Sequence, residues 1–293
     1  MKYNNYIKKI SKQRWDKESF RYTGYNFFCS SEWMSITSKV FIIKNYFYEI
    51  SFNNKIIFLP IQKSGKRIYS NFVGYGGFLT NDKITVDELN EIIKITENKT
   101  GAKFIRIKFS PSSIINTLDI HKELTSIIKI DPFEKDECGV ILSKDIRYII
   151  RNIDKKNIAI RTLLPSEITR AHHLHKATMK RVGAMYNTPV ELFKRISKSK
   201  NAYFLGAFNK GILHAASIFL YDKNVMYYWW NMSDMFGRKK HLNHLLIKEA
   251  LVLAKKRGLQ QFDMASSHTE SLRIFKRSWG AKEMPFFLIE KCD

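Results

Sequence analysis

Alternation of apolar and polar residues predicts a three-stranded meander in the first half of the chain. Three stretches have the length and composition of strands, and Asn53-Asn54 and Ser64-Gly65-Lys66 have the composition of turns. In chain order the predicted strands are Tyr46–Phe52, Lys55–Gln62 and Ile68–Val73.

The second half repeats this pattern. Turns at Asn209-Lys210-Gly211 and Asp222-Lys223-Asn224 separate three further strands. They are Ala202–Phe208, Ile212–Tyr221 and Val225–Met232.

A helix, a glycine and a further strand follow each meander. The first set is Asp87–Lys99, Gly101 and Phe104–Phe109; the second is Leu242–Arg257, Gly258 and Gln261–Ala265. The offset between copies is 156 residues for the turn asparagines, 157 for the glycines and 158 for Phe104 and Phe262. An ordered match of this kind predicts a duplication. We expect two tandem mixed α/β units, 1–142 and 143–293.

A basic helix is predicted at the start of the second unit, over Ser143–Asn157. Its apolar stripe is Ile146, Ile149, Ile150 and Ile153, and its opposite face carries Lys144, Arg147, Arg151 and Lys155. Like charges on one face repel unless an anion neutralises them, so this face is a candidate phosphate site. The alternative is a solvated helix face. Lys255, Lys256 and Arg257 are interpreted as cations that stabilise a helix end.

Composition indicates a folded chain with an excess of positive charge. Of 293 residues, 44% are hydrophobic and 26% charged, which excludes disorder as the main state. The 50 Lys and Arg exceed the 27 Asp and Glu by 23 charges, which indicates a polyanionic partner or a biased genome composition. The three cysteines have neither disulfide nor metal-site spacing.

The amino-terminal residues lack the apolar stretch of a signal peptide. The longest aliphatic runs, such as Ile56–Ile61, are too short to span a membrane. We therefore expect a cytoplasmic protein.

Motif searches find no catalytic triad, zinc motif, phosphate-binding glycine loop or dinucleotide fingerprint. His172, His173 and His175 fall on a predicted helix, Pro165–Arg181, without the i, i+4 spacing of metal ligands, so we expect surface histidines and no metal.

The carboxyl-terminal stretch contains the most specific candidate chemistry. A polar loop, Ser266–Glu270, precedes a predicted helix, Ser271–Trp279, and Phe286–Lys291 is predicted to close the chain as a strand. In the helix, Phe275, Lys276 and Arg277 place an aromatic ring beside two cations. A lysine can stabilise the oxyanion formed when an amine attacks a carbonyl, or hold a donor phosphate. The alternative is a surface lysine on a packing helix.

Several motifs together resemble the FemABX type of peptidoglycan-bridge aminoacyltransferases, which are related to GNAT acyltransferases. The resemblance covers most of the chain and is most specific from about 200 to 290. Its motifs are Ser31 and Trp33, Gly74–Gly77, Thr178–Gly183, Tyr227–Ser233, Asn243–Leu246, Glu249-Ala250, Lys256–Gly258, Phe262-Asp263 and Phe275–Gly280.

The resemblance implies two tandem GNAT-like units of α/β class. It implies transfer of an acyl or aminoacyl group to an amine of a cell-envelope precursor, without a covalent enzyme intermediate. No cofactor is bound permanently, and aminoacyl-tRNA or acyl-CoA is the cosubstrate. The expected partners are a nucleotide- or lipid-linked precursor and tRNA, with peripheral contact to the inner membrane face and no transmembrane segment.

The resemblance also assigns roles to residues. Lys276 is the catalytic candidate, near the reacting carbonyl, and Phe275 shapes the donor channel. The other substrate-binding candidates are Arg277, Arg181, Tyr75, Gly76, Gly77, Arg147 and Arg151, the last two for an acceptor diphosphate. Asp263 and His268 lie near the right strand end, but neither is assigned as general base.

Two departures from the family pattern leave alternatives open. No long heptad run supplies the helical arm of many bridge enzymes. Arg238–Asn243 lacks the glycines with which acetyl-CoA enzymes bind pyrophosphate. The alternatives are an acyltransferase of surface-polysaccharide or lipid biosynthesis that uses acyl-CoA or a carrier protein, an RNA-binding module, and an inactive scaffold.

Overall fold

The computed structural model describes residues 5–113, 121–153, 157–184, 188–267 and 269–292. These divide into two compact units: residues up to Leu124 together with those from Pro285, and Thr125–Met284. The halves expected from the duplication, 1–142 and 143–293, place the division elsewhere. The difference arises because the strand before residue 130 pairs within the second unit, and the carboxyl-terminal strand pairs within the first.

The first unit contains a sheet in the order β1-β2-β3-β4-β5, with the end of β12 beside β5. Its strands are β1 (Tyr6–Lys9), β2 (Lys44–Phe52), β3 (Lys55–Ser64), β4 (Arg67–Tyr69), β5 (Phe104–Lys108) and, in β12 (Lys282–Cys292), the paired residues Leu288–Cys292. Its helices are α1 (Lys12–Glu18), α2 (Ser31–Phe41) and α3 (Val86–Thr100). The β2–β3–β4 meander is antiparallel, and β5 is parallel to β4.

The second unit repeats this order. Its sheet is β7-β8-β9-β10-β11, with β6 beside β11. The strands are the residues of β6 (His121–Lys129) from Thr125 onward, β7 (Ile158–Thr162), β8 (Ala202–Asn209), β9 (Ile212–Tyr221), β10 (Val225–Ser233) and β11 (Gln261–Ser266). The helices are α4 (Lys144–Asn152), α5 (Ile168–Arg181), α6 (Val190–Ile196), α7 (Met235–Lys239), α8 (Leu242–Lys256) and α9 (Glu270–Ser278).

Helix ends follow from local side-chain chemistry. Thr85 and Glu88 form a reciprocal capping box at the start of α3, and Gly101, at φ +61°, ends it. Ser143 caps α4 by accepting from the Ile146 amide. Lys155, predicted on the basic face of this helix, lies outside the described residues.

Each unit buries one face of its sheet under the helix that follows the meander. In the first unit, Leu89, Ile92 and Ile93 of α3 pack with alternate residues of β2 and β3. Phe47 and Phe58 point to the opposite face, where Trp15 stacks on Phe47 at 4.8 Å. In the second unit, Leu246, Ile247 and Ala250 of α8 share a core with Phe219 and Phe262.

The predicted duplication and fold class are therefore confirmed, with one difference in the first copy. The strand predicted over Ile68–Val73 ends at Tyr69, because the chain leaves the sheet after Ser70 and returns to it at Gly76, which pairs in parallel with Phe109. Within the described ranges, no helix has both the length and the apolar run needed to span a bilayer.

Candidate functional site

The parallel strands of the second unit separate at their carboxyl ends. β10 and β11 pair only from Val225 to Tyr227 and from Gln261 to Asp263, although both strands continue beyond these residues. Past that point, among the described residues, β10 pairs only with β9 and β11 only with β6. Ligands of open α/β sheets bind where parallel strands end and separate. We call this place the β10–β11 split.

An irregularity in β10 determines which side chains face α8. Trp229 is the extra residue between Tyr228, opposite Phe219, and Trp230, opposite Ile218. It places Tyr228 and Asn231 on the same face of the sheet. On that face the Asn243 amide of α8 donates to Asn231 Oδ1 at 3.1 Å. Burial raises the pKa of Tyr228, so its hydroxyl stays protonated at neutral pH.

A second irregularity ends β11. Asp263 pairs with Ile127 and Ser266 with Thr125, so one extra residue is inserted, and Ala265 has φ +62°. Asp263 is buried, and its Oδ1 accepts from the Ala265 amide at 2.7 Å and from the Thr125 hydroxyl at 2.6 Å. Through these two hydrogen bonds the carboxylate stabilises the bulge, which is a structural role. His268, the other base candidate, lies outside them.

Lys276 reaches this bulge from the last turn of α9. Its side chain is buried, and its Nζ donates to the carbonyl oxygens of Ala265 and Ser266, each at 2.8 Å. Its third N–H has no acceptor among the described residues. Burial lowers the pKa of Lys276 to about 8, although the Asp263 carboxylate opposes this shift.

Phe275 lies beside a histidine to which the sequence assigned no role. The His244 ring of α8 meets Phe275 edge to face at 5.4 Å and stacks on Trp279 at 5.7 Å. Burial, assisted by neighbouring His241, lowers the pKa of His244 to about 4, so the ring is neutral at pH 7.

Several buried polar atoms on α8, just after α9 and just after β11 have no hydrogen-bond partner among the described residues. They are Asn243 Oδ1, His244 Nδ1, Trp279 Nε1 and Ser267 Oγ. A buried polar atom left unsatisfied costs about 1–3 kcal/mol. Such a concentration indicates a place where a bound molecule or water completes the hydrogen bonding.

These residues were missed as candidates, although a signal was present. Tyr228 and Asn231 carry polar groups in a strand that is otherwise made of apolar and aromatic residues. Asn243 and His244 interrupt the apolar run at the start of a core helix. Nothing in the sequence showed that a bulge at Trp229 would bring Asn231 onto the α8 face.

The four arginines predicted to bind substrate are all exposed, unlike Lys276. Arg277 is exposed and lies 3.4 Å from Glu270 and 3.7 Å from Glu283. Arg181 is exposed at the end of α5, and Arg147 and Arg151 are exposed on α4. None of these last three forms an ion pair with a described residue.

Tyr75, Gly76 and Gly77 belong to the first unit and are buried there. The Gly76 amide donates to the Lys108 carbonyl, and a Cβ at Gly76 would lie 2.4 Å from Ser70 Oγ. β4 and β5 are the parallel pair of the first unit, as β10 and β11 are of the second. In the first unit, the Tyr75–Gly77 segment fills the place beyond the ends of that pair. The structure gives these glycines a packing role, and contact with an acceptor stays a prediction.

The expectation of surface histidines on α5 is wrong for two of the three. His172 and His175 are buried, and their Nε2 atoms lie 2.8 Å from the Thr188 carbonyl and 3.2 Å from its hydroxyl oxygen. They face inward because α5 packs against α6, where Phe193 contacts both rings. No three potential metal ligands come together in the described part of the chain.

Comparison with solved structures identifies other proteins with this fold. The structure of FemX matches with a TM-score of 0.69 at 12% identity, covering 98% of this chain and 97% of that one. The fold is that of FemX, built from two GNAT-like units. The predicted resemblance is therefore confirmed at the level of the fold.

Two further structures share it. A tandem GNAT protein from the clavulanic acid biosynthesis pathway matches with a TM-score of 0.55 at 9% identity, covering 98% of each chain. Saccharomyces cerevisiae N-myristoyltransferase with bound myristoyl-CoA and inhibitors matches with a TM-score of 0.56 at 14% identity, covering 99% of this chain and 81% of that one. No family model and no curated protein matches the sequence.

Proposed function

We propose that the chain is an N-acyltransferase that transfers an acyl or aminoacyl group to an amine of a cell-envelope precursor in the cytosol. The observation that carries this proposal is the β10–β11 split, with Lys276 and Phe275 beside it, in a chain with the FemX fold. The amine belongs to an amino sugar or to a peptidoglycan peptide.

The reacting carbonyl lies in the split in this proposal. The amine attacks its carbon, and the carbonyl oxygen becomes an oxyanion. The carbon–oxygen or carbon–sulfur bond to the donor then breaks, and the proton lost by the amine ends on the departing oxygen or sulfur. The remaining N–H of Lys276 stabilises the oxyanion, since donors positioned in a water-poor site favour the developing charge. Two anchored N–H groups hold the ammonium in place for this task.

Phe275 and His244 line the donor side of the split. Their edge-to-face contact fixes the Phe275 ring, and the neutral imidazole adds no charge next to an uncharged acyl chain. Tyr228 keeps a buried, protonated hydroxyl on the α8 side, which can donate a hydrogen bond. Arg181 and the Arg147–Arg151 pair are proposed to hold acceptor phosphates, because they are exposed cations without ion pairs in the described residues.

Aminoacyl-tRNA and acyl-CoA are the donor classes to be compared. The resemblance of the sequence motifs to the FemABX type implies the first donor. The match to N-myristoyltransferase, which was solved with myristoyl-CoA, supports the second candidate function, an acyl-CoA-dependent transfer in surface-polysaccharide or lipid biosynthesis.

The test is a transfer assay with each donor class against amino-sugar nucleotides and peptide amines, read by mass spectrometry. We expect a new amide with one donor class. The proposal is contradicted if purified, folded protein gives no amide with any combination.

A further inference from the structure

Helices cover one face of the first unit's sheet only in part. On the face away from α3, helices α1 and α2 lie against β2 and β3, where Trp15 packs with Phe47 and Phe58. Beyond β3 the same face is open to solvent, since Arg67 of β4 and Arg106 of β5 are exposed on it.

Strand alternation places aromatic rings on this open face. Ile68 and Ile105 point into the core beneath α3, so Tyr69 of β4 and Phe104 of β5 point the other way. The end of α2 and the loop after β4 each add one ring at its border. We call these four rings the aromatic stripe: Phe41, Phe72, Tyr69 and Phe104.

The rings of the aromatic stripe form a continuous row. Phe72 contacts Phe41 and Tyr69, with ring centroids 5.1 Å apart in each pair, and Tyr69 contacts Phe104 at 5.7 Å. Phe72 is 38% exposed, and the other three rings are half-buried. Such a row presents ring faces on which planar groups can stack.

Cations surround the aromatic stripe. The Arg67 guanidinium lies 5.6 Å from the centroid of Phe104. Lys66 and Lys103 meet at the same end of the row, because the Lys103 amide donates to the Lys66 carbonyl. Lys39 lies in the last turn of α2. These four cations are exposed, and none forms an ion pair with a described residue.

Acidic residues are scarce on this part of the sheet. Among the paired residues of β3, β4, β5 and β12, the one carboxylate is that of Glu290, which lies 2.9 Å from Arg106. The open face therefore keeps a positive charge, which complements a polyanion.

We propose that the aromatic stripe binds an unpaired stretch of nucleic acid. The bases stack on its rings, and Arg67 with the three lysines binds the phosphates. Proteins that bind single strands combine these two features, aromatic rings on an open surface and cations along the path of the backbone. The proposal is independent of acyl transfer, because the stripe lies in the first unit and the β10–β11 split in the second.

A single strand fits these observations better than a duplex or a bilayer. A duplex keeps its base faces stacked inside the helix, so it would contact the cations and leave the rings unused. A bilayer is bound by apolar side chains that project from the surface, whereas three of the four rings are half-buried against their neighbours. Ile42, next to Phe41, does project, so vesicles are one arm of the test.

Fluorescence anisotropy with short labelled oligouridine and oligodeoxythymidine, on the full chain and without an acyl donor, tests the proposal. We expect binding that weakens steeply as salt is added, and at least tenfold weaker binding of a duplex of the same length. Binding of either oligonucleotide supports the proposal, and the two arms distinguish RNA from DNA.

Phe72→Leu tests the stacking. It keeps apolar bulk and removes the ring, so it should weaken binding about tenfold, as expected for the loss of one stacked base. The matched control is Phe20→Leu, which removes a ring of the same unit that is 41% exposed and lies outside the stripe. The control should bind as the wild type does.

Lys66→Gln/Arg67→Gln tests the phosphate contacts. Each phosphate contact to a single strand contributes about 0.7 to the slope of log affinity against log salt, so the double variant should lower that slope by about one. The control is Lys8→Gln/Lys17→Gln, which removes two exposed lysines from β1 and α1, and it should leave the slope unchanged.

Cys292 reports where the strand binds without any substitution. It pairs with Phe104 across β5 and β12 and is exposed, whereas Cys29 and Cys138 are buried. Bound oligonucleotide should therefore slow the alkylation of Cys292 by iodoacetamide several-fold.

Five results would each overturn the proposal. They are no binding at low salt, wild-type affinity of Phe72→Leu, equal affinity for duplex and single strand, unprotected Cys292, and binding of anionic phosphatidylglycerol vesicles alone. The transfer assay contains none of these oligonucleotides, so the failure of either proposal leaves the other standing.

Discussion

Lys276 donates a 2.8 Å hydrogen bond to the carbonyl oxygen of Ala265, a residue that occupies the left-handed region without being glycine. A β-branched or alanine side chain is strained there, at a cost of about 1–2 kcal/mol. The buried ammonium therefore holds the end of β11 in a conformation that the backbone alone disfavours. Lys276 has a structural role in addition to its proposed chemical one.

This contact changes what is expected of Lys276→Ala. The structure predicts a loss of about 2 kcal/mol in the free energy of unfolding, because two buried carbonyls lose their donor. Urea denaturation measures it, with Lys282→Ala, an exposed lysine of the same unit, as the control expected within about 0.5 kcal/mol of wild type. Equal stability of the two variants would contradict the anchoring role.

The lowered pKa of Lys276 predicts a pH dependence of stability. Between about pH 8 in the folded state and 10.5 in the unfolded state, the unfolded chain binds the extra proton. The contribution of Lys276 to the free energy of unfolding therefore rises as pH increases through this window. The wild type minus Lys276→Met difference, measured by denaturation at several pH values, should grow from pH 8 to 10.5. A flat difference would contradict the shift.

The lowered pKa of His244 predicts a change in stability at acidic pH. Its pKa is about 4 when folded and 6.5 when unfolded, so the unfolded chain takes up a proton first as pH falls. The wild type should lose stability from pH 6.5 towards 4, and His244→Phe should lose less of it. The phenyl ring keeps the contacts with Phe275 and Trp279, so parallel slopes in the two proteins would argue against a buried neutral imidazole.

The close packing around Gly76 predicts that a larger side chain there destabilises the first unit. Gly76→Ala places its Cβ 2.4 Å from Ser70 Oγ and 2.7 Å from the Ser70 carbonyl carbon, so the backbone must shift. We expect a loss of about 1–3 kcal/mol, as for overpacked cores. Gly101→Ala is the control: its Cβ meets nothing within 4 Å, so its cost is the positive φ alone, about 1–2 kcal/mol. Thermal unfolding in which Gly76→Ala is the milder change would contradict the packing role.

The sequence predicted the repeated elements because they depend on local patterns. Alternation defined the meanders, and Gly101 and Gly258 marked the helix ends in both copies. It did not predict that β6 pairs in the second unit and the end of β12 in the first, because strand pairing between distant segments has no local signature. It located Phe275 and Lys276, but their burial against His244 and the β11 bulge depends on packing between elements.

The central claim is that acyl transfer takes place at the β10–β11 split. The most direct measurement is the rate of amide formation by wild type and Lys276→Ala, at a temperature where circular dichroism shows both to be folded, with Lys282→Ala as control. We expect wild type and the control to form the amide at the same rate, and Lys276→Ala to form it at least tenfold more slowly. An unchanged rate in folded Lys276→Ala would contradict the claim.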